Sequence, residues 1–383
     1  MGRWGITLPL TGVPLTEHRE LVKELPDAGY TDVWSAETAG TDAFTPLALA
    51  AEWAPQLRLG TAIAPVYTRG PGLLAMTAAT IAELAPERFV LGIGTSSPVI
   101  VSNWNSQEFA EPFARTRDTL RFLRSALNGE KVSQKYPTFE ISKFKLERPP
   151  QPPPKIMLAA LRPGMLKLAR NEADGAITNW LAPSDVPKVR AEVGPDFELV
   201  ARIFVCPTED VAAARGLGRL LISSYLTVPV YAAFHDWLGR GEILKPMHDA
   251  WAAGDRAAAN QVIPDEVVDD LIVHGSPERC RERVAEYVAA GLDTPVISVL
   301  PTGDDRGEAT LILSLSRGER GPVVRVAAQG LLEPPHPFLD GDARPVVEVA
   351  AGGGDVEPVG RGELAGEETG HGGLVLAAQG ERE

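Results

Sequence analysis

Two apolar runs in this chain end in small and hydroxyl-bearing residues. The first is Arg58-Leu59-Gly60-Thr61-Ala62-Ile63-Ala64-Pro65, and the second is Arg88-Phe89-Val90-Leu91-Gly92-Ile93-Gly94-Thr95-Ser96-Ser97. Glycine at such an end lets a ligand come close to the backbone. Thr and Ser add hydrogen-bonding groups without bulk. Two ends of this kind side by side suit a flat, polar cofactor better than a metal or a nucleophilic serine.

A third segment has a different chemistry. Pro154-Lys155-Ile156-Met157-Leu158-Ala159-Ala160-Leu161-Arg162-Pro163-Gly164-Met165 reads as a strand, a short turn and a helix start. Free N–H groups at a helix N-terminus bind phosphate, and Arg162 adds a charged fork. The plainer reading is an ordinary turn with Arg162 in solvent. The chain has no H-E-x-x-H, no carboxylate cluster at metal spacing and no G-x-S-x-G, and none of its six histidines falls at an expected strand end. Metal-assisted hydrolysis and Ser-His-Asp chemistry are therefore poorly supported.

One unit recurs around these segments: an amphipathic helix, a small residue with Gly or Asp, and a short apolar strand. Leu166 to Ala173 gives way to Asp174-Gly175-Ala176-Ile177-Thr178-Asn179, and Val284 to Ala290 gives way to Gly291 and Pro295-Val296-Ile297-Ser298-Val299-Leu300. Continuous apolar runs suit parallel strands covered on both faces. Eight strands are expected, near 4–8, 32–35, 57–63, 89–94, 155–160, 175–179, 198–205 and 295–300. Helices are expected over Thr16–Ala28, Pro46–Trp53, Pro71–Leu84, Pro112–Leu127, Gly164–Glu172 and Pro277–Ala290. The expected fold is thus α/β, a (β/α)8 TIM barrel. It carries a hairpin insertion after strand 4, about 129–154, and a helical insertion after strand 7, about 208–274. The second holds Tyr225, Tyr231, Phe234, Trp237 and Trp251, and reads either as packing on the barrel or as a lid.

With 383 residues, 44% of them hydrophobic, the chain can bury a large core. The barrel domain is expected over 1–303. Beyond it, 304–383 is rich in Gly, Pro, Glu and Arg and is expected to be a disordered tail, with Asp304–Leu315 a weak candidate for the last barrel helix. A net charge of −14 argues against a general nucleic-acid binder. No run approaches a membrane span, and the cytoplasm is the expected compartment. Cys206 and Cys280 are expected to be reduced and buried.

The chain resembles the luciferase-like monooxygenase superfamily, and most of all its actinobacterial branch that uses the deazaflavin coenzyme F420. The resemblance spans about residues 3 to 302. It rests on Leu59-Gly60-Thr61-Ala62-Ile63-Ala64-Pro65 with Thr68-Arg69, on Pro86-Glu87-Arg88-Phe89-Val90-Leu91-Gly92-Ile93-Gly94, on Leu158-Ala159-Ala160 and on Ala173-Asp174-Gly175. It implies a flat ring system bound at the strand C-termini, with Thr61, Ala62 and Ile63 behind the ring and a non-proline cis peptide at Ala62-Ile63. It also implies that Gly94, Thr95, Ser96 and Ser97 contact the cofactor, and that Ala160, Leu161, Arg162, Gly164 and Met165 hold its phosphate. An Asp-His pair and a glutamate serve as acid–base groups in some members; here Glu37-Thr38 and Ser97 stand there. Glu37 remains the candidate proton partner, and the plainer alternative is that it caps a loop or pairs with an arginine. Trp34, Trp104 and Trp180 are candidates to frame the mouth, and core packing explains Trp34 equally well.

The implied function is F420-dependent hydride transfer to or from a small organic substrate. FMN-dependent monooxygenation with reduced flavin and oxygen is the alternative, followed by a cofactor-binding barrel without turnover. A homodimer is expected from the family; a nucleic-acid or membrane partner is not.

Overall fold

The computed structural model describes residues 2–300, together with the backbone of 308–311 and 324–327. In chain order the first half alternates β1 (Gly5–Thr7), α1 (His18–Glu24), β2 (Asp32–Ala36), α2 (Thr45–Trp53), β3 (Arg58–Pro65), α3 (Pro71–Leu84), β4 (Phe89–Gly94) and α4 (Pro112–Leu127). A hairpin of β5 (Val132–Lys135) and β6 (Glu140–Phe144) follows. Alternation resumes with β7 (Lys155–Ala159), α5 (Pro163–Glu172), β8 (Gly175–Asn179), α6 (Val186–Val193) and β9 (Glu198–Cys206). Five helices come next: α7 (Val211–Leu226), α8 (Pro229–Leu238), α9 (Gly241–Ala252), α10 (Arg256–Gln261) and α11 (Asp265–Leu271). Then come β10 (Ile272–His274), α12 (Pro277–Ala289) and β11 (Thr294–Val299).

Eight parallel strands close on themselves in the order β1-β2-β3-β4-β7-β8-β9-β11, with β11 returning to β1. This is a TIM barrel with helices between its strands. Among the described residues, no single helix is long and apolar enough to cross a membrane.

The interior is filled rather than hollow. Trp34, Val90, Met157, Ile177, Val200 and Val296 pack together inside the ring. Trp34 lies across the axis, and its neighbours are glycines for that reason. A Cβ on Gly60 would stand 2.3 Å from Trp34 Cε3, and one on Gly5 would stand 3.0 Å from Trp34 Cδ1. Below the indole, Arg58 closes the floor. It pairs with the buried Asp32 of β2 and donates to Glu198 of β9 at 2.6 Å, with its guanidinium 5.4 Å from the Trp34 ring. The charge is thus shared between strands 140 residues apart in sequence.

Several expectations need correction. Helix α6 is additional: the proline at its first turn and its short, mixed sequence hide its period. Strand β10 is also additional; it extends the sheet from the upper end of β9, and His274 ends it. The only cis peptides among the described residues are Leu8-Pro9 and Gln151-Pro152, so the Ala62-Ile63 bond is trans. In the region expected as a weak helix, Glu308–Leu311 is instead a strand paired antiparallel with Val324–Ala327. The rest of the expected tail lies outside the described residues. Trp34 is a buried core residue, as the packing reading has it, and only the edge of its ring reaches the cleft beside Arg202.

If Trp34 sets the barrel's interior, Gly60→Ala should destabilise the protein by about 1–3 kcal/mol through overpacking. Urea unfolding of Gly60→Ala with and without Trp34→Leu checks this. The second change should recover part of the loss, because the two sites couple directly. A Gly60→Ala protein as stable as its parent would contradict the account.

Candidate active site

The upper, C-terminal end of the barrel is built around a bulge in β3. Ser35 pairs with Thr61 and Ala36 with Ile63, while Gly60 pairs with Val90 and Ala64 with Ile93. One extra residue is therefore inserted in β3 relative to both neighbours. The Thr61 hydroxyl repairs the broken ladder: it donates to the Gly92 carbonyl at 2.8 Å and accepts from the Gly92 N–H at 2.7 Å. Gly92 has to be glycine, since a Cβ there would lie 1.9 Å from the Thr61 carbonyl oxygen. Thr61 is fully buried with its hydroxyl saturated, so it supports the bulge and does not face the mouth. Ala62 and Ile63 are partly exposed and form an apolar ledge.

Across from the ledge, β4 ends in a tight approach. A Cβ on Gly94 would meet Ala159 Cβ at 2.8 Å and Ile63 Cδ1 at 2.9 Å. Ser96 follows in the left-handed region with φ of 61°. The Thr95 hydroxyl donates to the Ser96 carbonyl at 3.3 Å, and the largely buried Ser97 accepts from the Ile100 N–H at 3.4 Å. A turn of π-helix over Val99–Trp104 carries Trp104 outward, where it is exposed.

The turn after β7 is as expected in form. Arg162 is the extended N-cap of α5, Pro163 is its first residue, and the Arg162 carbonyl accepts from the Leu166 N–H. The Gly164 and Met165 amides head the helix, Gly164 is open to space, and Arg162 is exposed. Ala160 is buried behind the turn and Leu161 is partly exposed. A helix start with free amides and a guanidinium can hold a phosphate.

Glu37 lies just beyond β2 and pairs with an arginine. Its Oε1 accepts from Arg69 Nε at 2.8 Å, from Arg69 Nη2 at 2.5 Å and from the Ala43 N–H at 3.4 Å. Arg69 also covers the Phe44 ring at 4.8 Å. All three bonds converge on one carboxylate oxygen, which leaves Oε2 for a further partner.

Three residues meet at the mouth, of which Asn179 stands at an expected strand end, Tyr231 belongs to the expected helical insertion, and Arg202 escapes the sequence reading. Arg202 and Asn179 are register partners on β9 and β8, and Arg202 Nε donates to Asn179 Oδ1 at 3.4 Å. Tyr231 of α8 reaches them, accepting from Asn179 Nδ2 at 3.4 Å. Arg202 lines a narrow cleft with Thr7, Trp34, Ser35, Ala36 and Ala62, whose volume is about 10 Å³, room for one oxygen-sized group. The signal was a lone arginine inside the apolar run Leu199–Cys206.

The helical insertion packs on this corner through its own apolar cluster, in which the buried Trp180 and Phe204 rings lie 4.2 Å apart and Tyr225 stands 5.2 Å from Trp180. Arg240 ties the insertion to the loop after β8 through Asp185 at 2.8 Å. His235 of α8 is fully buried against Phe234. Burial, with Arg240 and then His248 adding repulsion, pushes its pKa down to about 3. Cys206 and Cys280 are free and buried, and burial pushes their thiols up to about 12 and about 11, far from a reactive thiolate.

A family model described as luciferase-like monooxygenase matches residues 5–294. Among curated proteins, the chain is similar to a putative coenzyme F420-dependent oxidoreductase of Mycobacterium tuberculosis, with 28% identity covering 82% of this chain and 97% of the relative. It is also similar to the 5,10-methylenetetrahydromethanopterin reductase of Archaeoglobus fulgidus, with 26% identity covering 79% and 95%. Among solved structures, the coenzyme F420-dependent tetrahydromethanopterin reductase from Methanopyrus kandleri matches with a TM-score of 0.65. Its identity is 19%, and the match covers 79% of this chain and 94% of that one.

His235 should give the protein an acid limit. Its ring is neutral when folded and takes up a proton near pH 6.5 once exposed, so its contribution is complete above about pH 6.5 and falls away as pH drops towards about 3. Between pH 7 and pH 4 the loss from this group should approach about 3 kcal/mol. Urea unfolding across that range should show a shallower pH dependence for His235→Phe than for the parent. Parallel curves would rule this out.

Proposed function

Because the chain belongs to the luciferase-like monooxygenase family, we propose that it is an oxidoreductase. It binds coenzyme F420 at the barrel mouth and exchanges hydride with a small organic substrate. The observation that carries this reading is the bulge in β3, which offers the apolar ledge of Ala62 and Ile63 to one face of a planar ring. The names of the Mycobacterium tuberculosis relative and the Methanopyrus kandleri enzyme support F420 over FMN. FMN would use the same ledge and turn.

The residues present fit such a group. Gly94 lets the end of β4 pack closely against Ile63 of the ledge, and Thr95, Ser96 and Ser97 would contact the polar edge of the ring. Ala160, Leu161, Arg162, Gly164 and Met165 would hold the phosphate through two helix amides and one guanidinium. Thr61 braces the ledge from behind. F420 supplies the hydride chemistry; the protein supplies support, orientation and charge. Glu37, anchored through Oε1 by Arg69, would exchange a proton through Oε2.

We further assign the catalytic barrel to 1–303 and an appended segment to 304–383, and place the protein in the cytoplasm. The reading also includes a homodimer. Leu73, Met76 and Leu84 are exposed along one face of α3 at spacings of three and eight, an apolar stripe suited to a second copy. Met76→Asp should then shift sedimentation from dimer to monomer.

Fluorescence titration with F420, repeated with FMN, tests the reading. Tight binding of F420 and weak binding of FMN are expected. Arg162→Ala should weaken F420 binding about tenfold by removing a charged hydrogen bond, whereas Glu37→Gln should leave it within about threefold. Preference for FMN would move the protein to the flavin monooxygenases. Binding of neither would favour a barrel without turnover.

A further inference from the structure

Arg202, like the exposed Arg162 of the α5 turn, has no carboxylate partner among the described residues, but unlike Arg162 it is partly buried. Arg58 at the floor has two carboxylates, and Arg69 at the rim has Glu37. Arg202 has an amide oxygen at 3.4 Å and the face of Phe204 at 4.8 Å, both uncharged. It is partly buried, so part of its surface is turned from water towards these uncharged groups. The groups around it are short of acceptors. Trp34 Nε1 and Thr7 Oγ1 line the same cleft, buried and without a hydrogen-bond partner. The Tyr231 hydroxyl already accepts from Asn179, so its own proton is free to be donated. Burial raises the Tyr231 pKa, which keeps that proton in place.

We propose that Arg202, with Tyr231 and Asn179, forms a carboxylate subsite, and that the substrate of this enzyme is a small organic anion. A carboxylate supplies what the cleft lacks, two acceptor oxygens and a negative charge, and it matches a guanidinium in a paired geometry. The cleft admits one oxygen-sized group, so one carboxylate oxygen enters it and the other stays outside, on the side of Asn179 and Tyr231. The body of the substrate then extends past Ala36, towards the ledge assigned to the cofactor ring. Tyr231 belongs to the helical insertion, so the same subsite joins the insertion to the barrel strands. This inference rests on the reading of the mouth as the reaction site.

The test uses the full chain, with benzoate as the anionic probe and benzamide as its neutral counterpart. Thermal shift and intrinsic fluorescence report probe binding, and a separate titration reports F420. Benzoate should bind and benzamide should not. Arg202→Gln should weaken benzoate at least tenfold and Tyr231→Phe several-fold, because each removes a donor to a charged group. Arg202→Lys should retain part of the binding, and F420 affinity should stay within about threefold in all three. Arg202→Lys and Tyr231→Phe carry the comparison if Arg202→Gln does not fold. Equal binding of benzoate and benzamide, or undiminished benzoate binding in the variants, would overturn the proposal. So would a loss confined to F420, which would assign Arg202 to an oxygen of the cofactor ring. If the parent binds benzoate through Arg202 but not F420, the carboxylate subsite stands and the F420 reading falls.

Discussion

The structure depends on how the inside of an eight-stranded ring is filled. A single indole, Trp34, occupies the axis, and two neighbouring strands give up their side chains at Gly5 and Gly60 to accommodate it. Below it, Arg58 is locked between carboxylates from β2 and β9. The lower half is therefore packed, and its inward guanidinium is ion-paired. In barrels of this kind the reactive residues lie at the other end, where the strands deliver their C-terminal residues and the loops diverge.

The bulge in β3 gives the upper end of that packed ring an apolar ledge. A regular strand would alternate its side chains and leave no continuous face at its end. The extra residue re-aims Ala62 and Ile63, and the lost ladder bonds are replaced by the Thr61 hydroxyl rather than by water. Thr61 is thus a positioning residue. A hydroxyl at a strand end can serve the backbone or the ligand, and only the bulge register distinguishes the two.

What was legible in the sequence was what local sterics and periodicity impose. The eight strands stand out because parallel strands buried on both faces are uninterrupted apolar runs. The family-like motifs stand out because they are structural. Asp174 accepts from the Ile156 N–H and from Arg124, and Arg88 donates to the Leu57 carbonyl, so these residues join consecutive βα units. The form of the Ala62-Ile63 peptide was not legible, because an extra residue and a cis bond redirect a strand equally well. Nor was Arg202. Its sequence position in an apolar strand shows only a charge out of place; that it faces the mouth rather than a carboxylate depends on contacts with β8 and with a helix 29 residues further on.

The two inward arginines show what decides whether a buried charge is structural or receptive. Arg58 and Arg202 both sit on barrel strands, and both lie against aromatic rings, Trp34 and Phe204. Arg58 faces acids contributed by its own chain, so its interactions are complete on folding. Arg202 faces an amide, a phenol and a cleft one oxygen wide. A guanidinium in that setting is tolerated because Asn179 and Phe204 offset part of its desolvation, but they offer no counter-charge. The folded state thus leaves Arg202 without a carboxylate partner at the C-terminal end of the barrel, the end that carries the ledge. An anionic substrate, as proposed, would supply that charge beside the ledge.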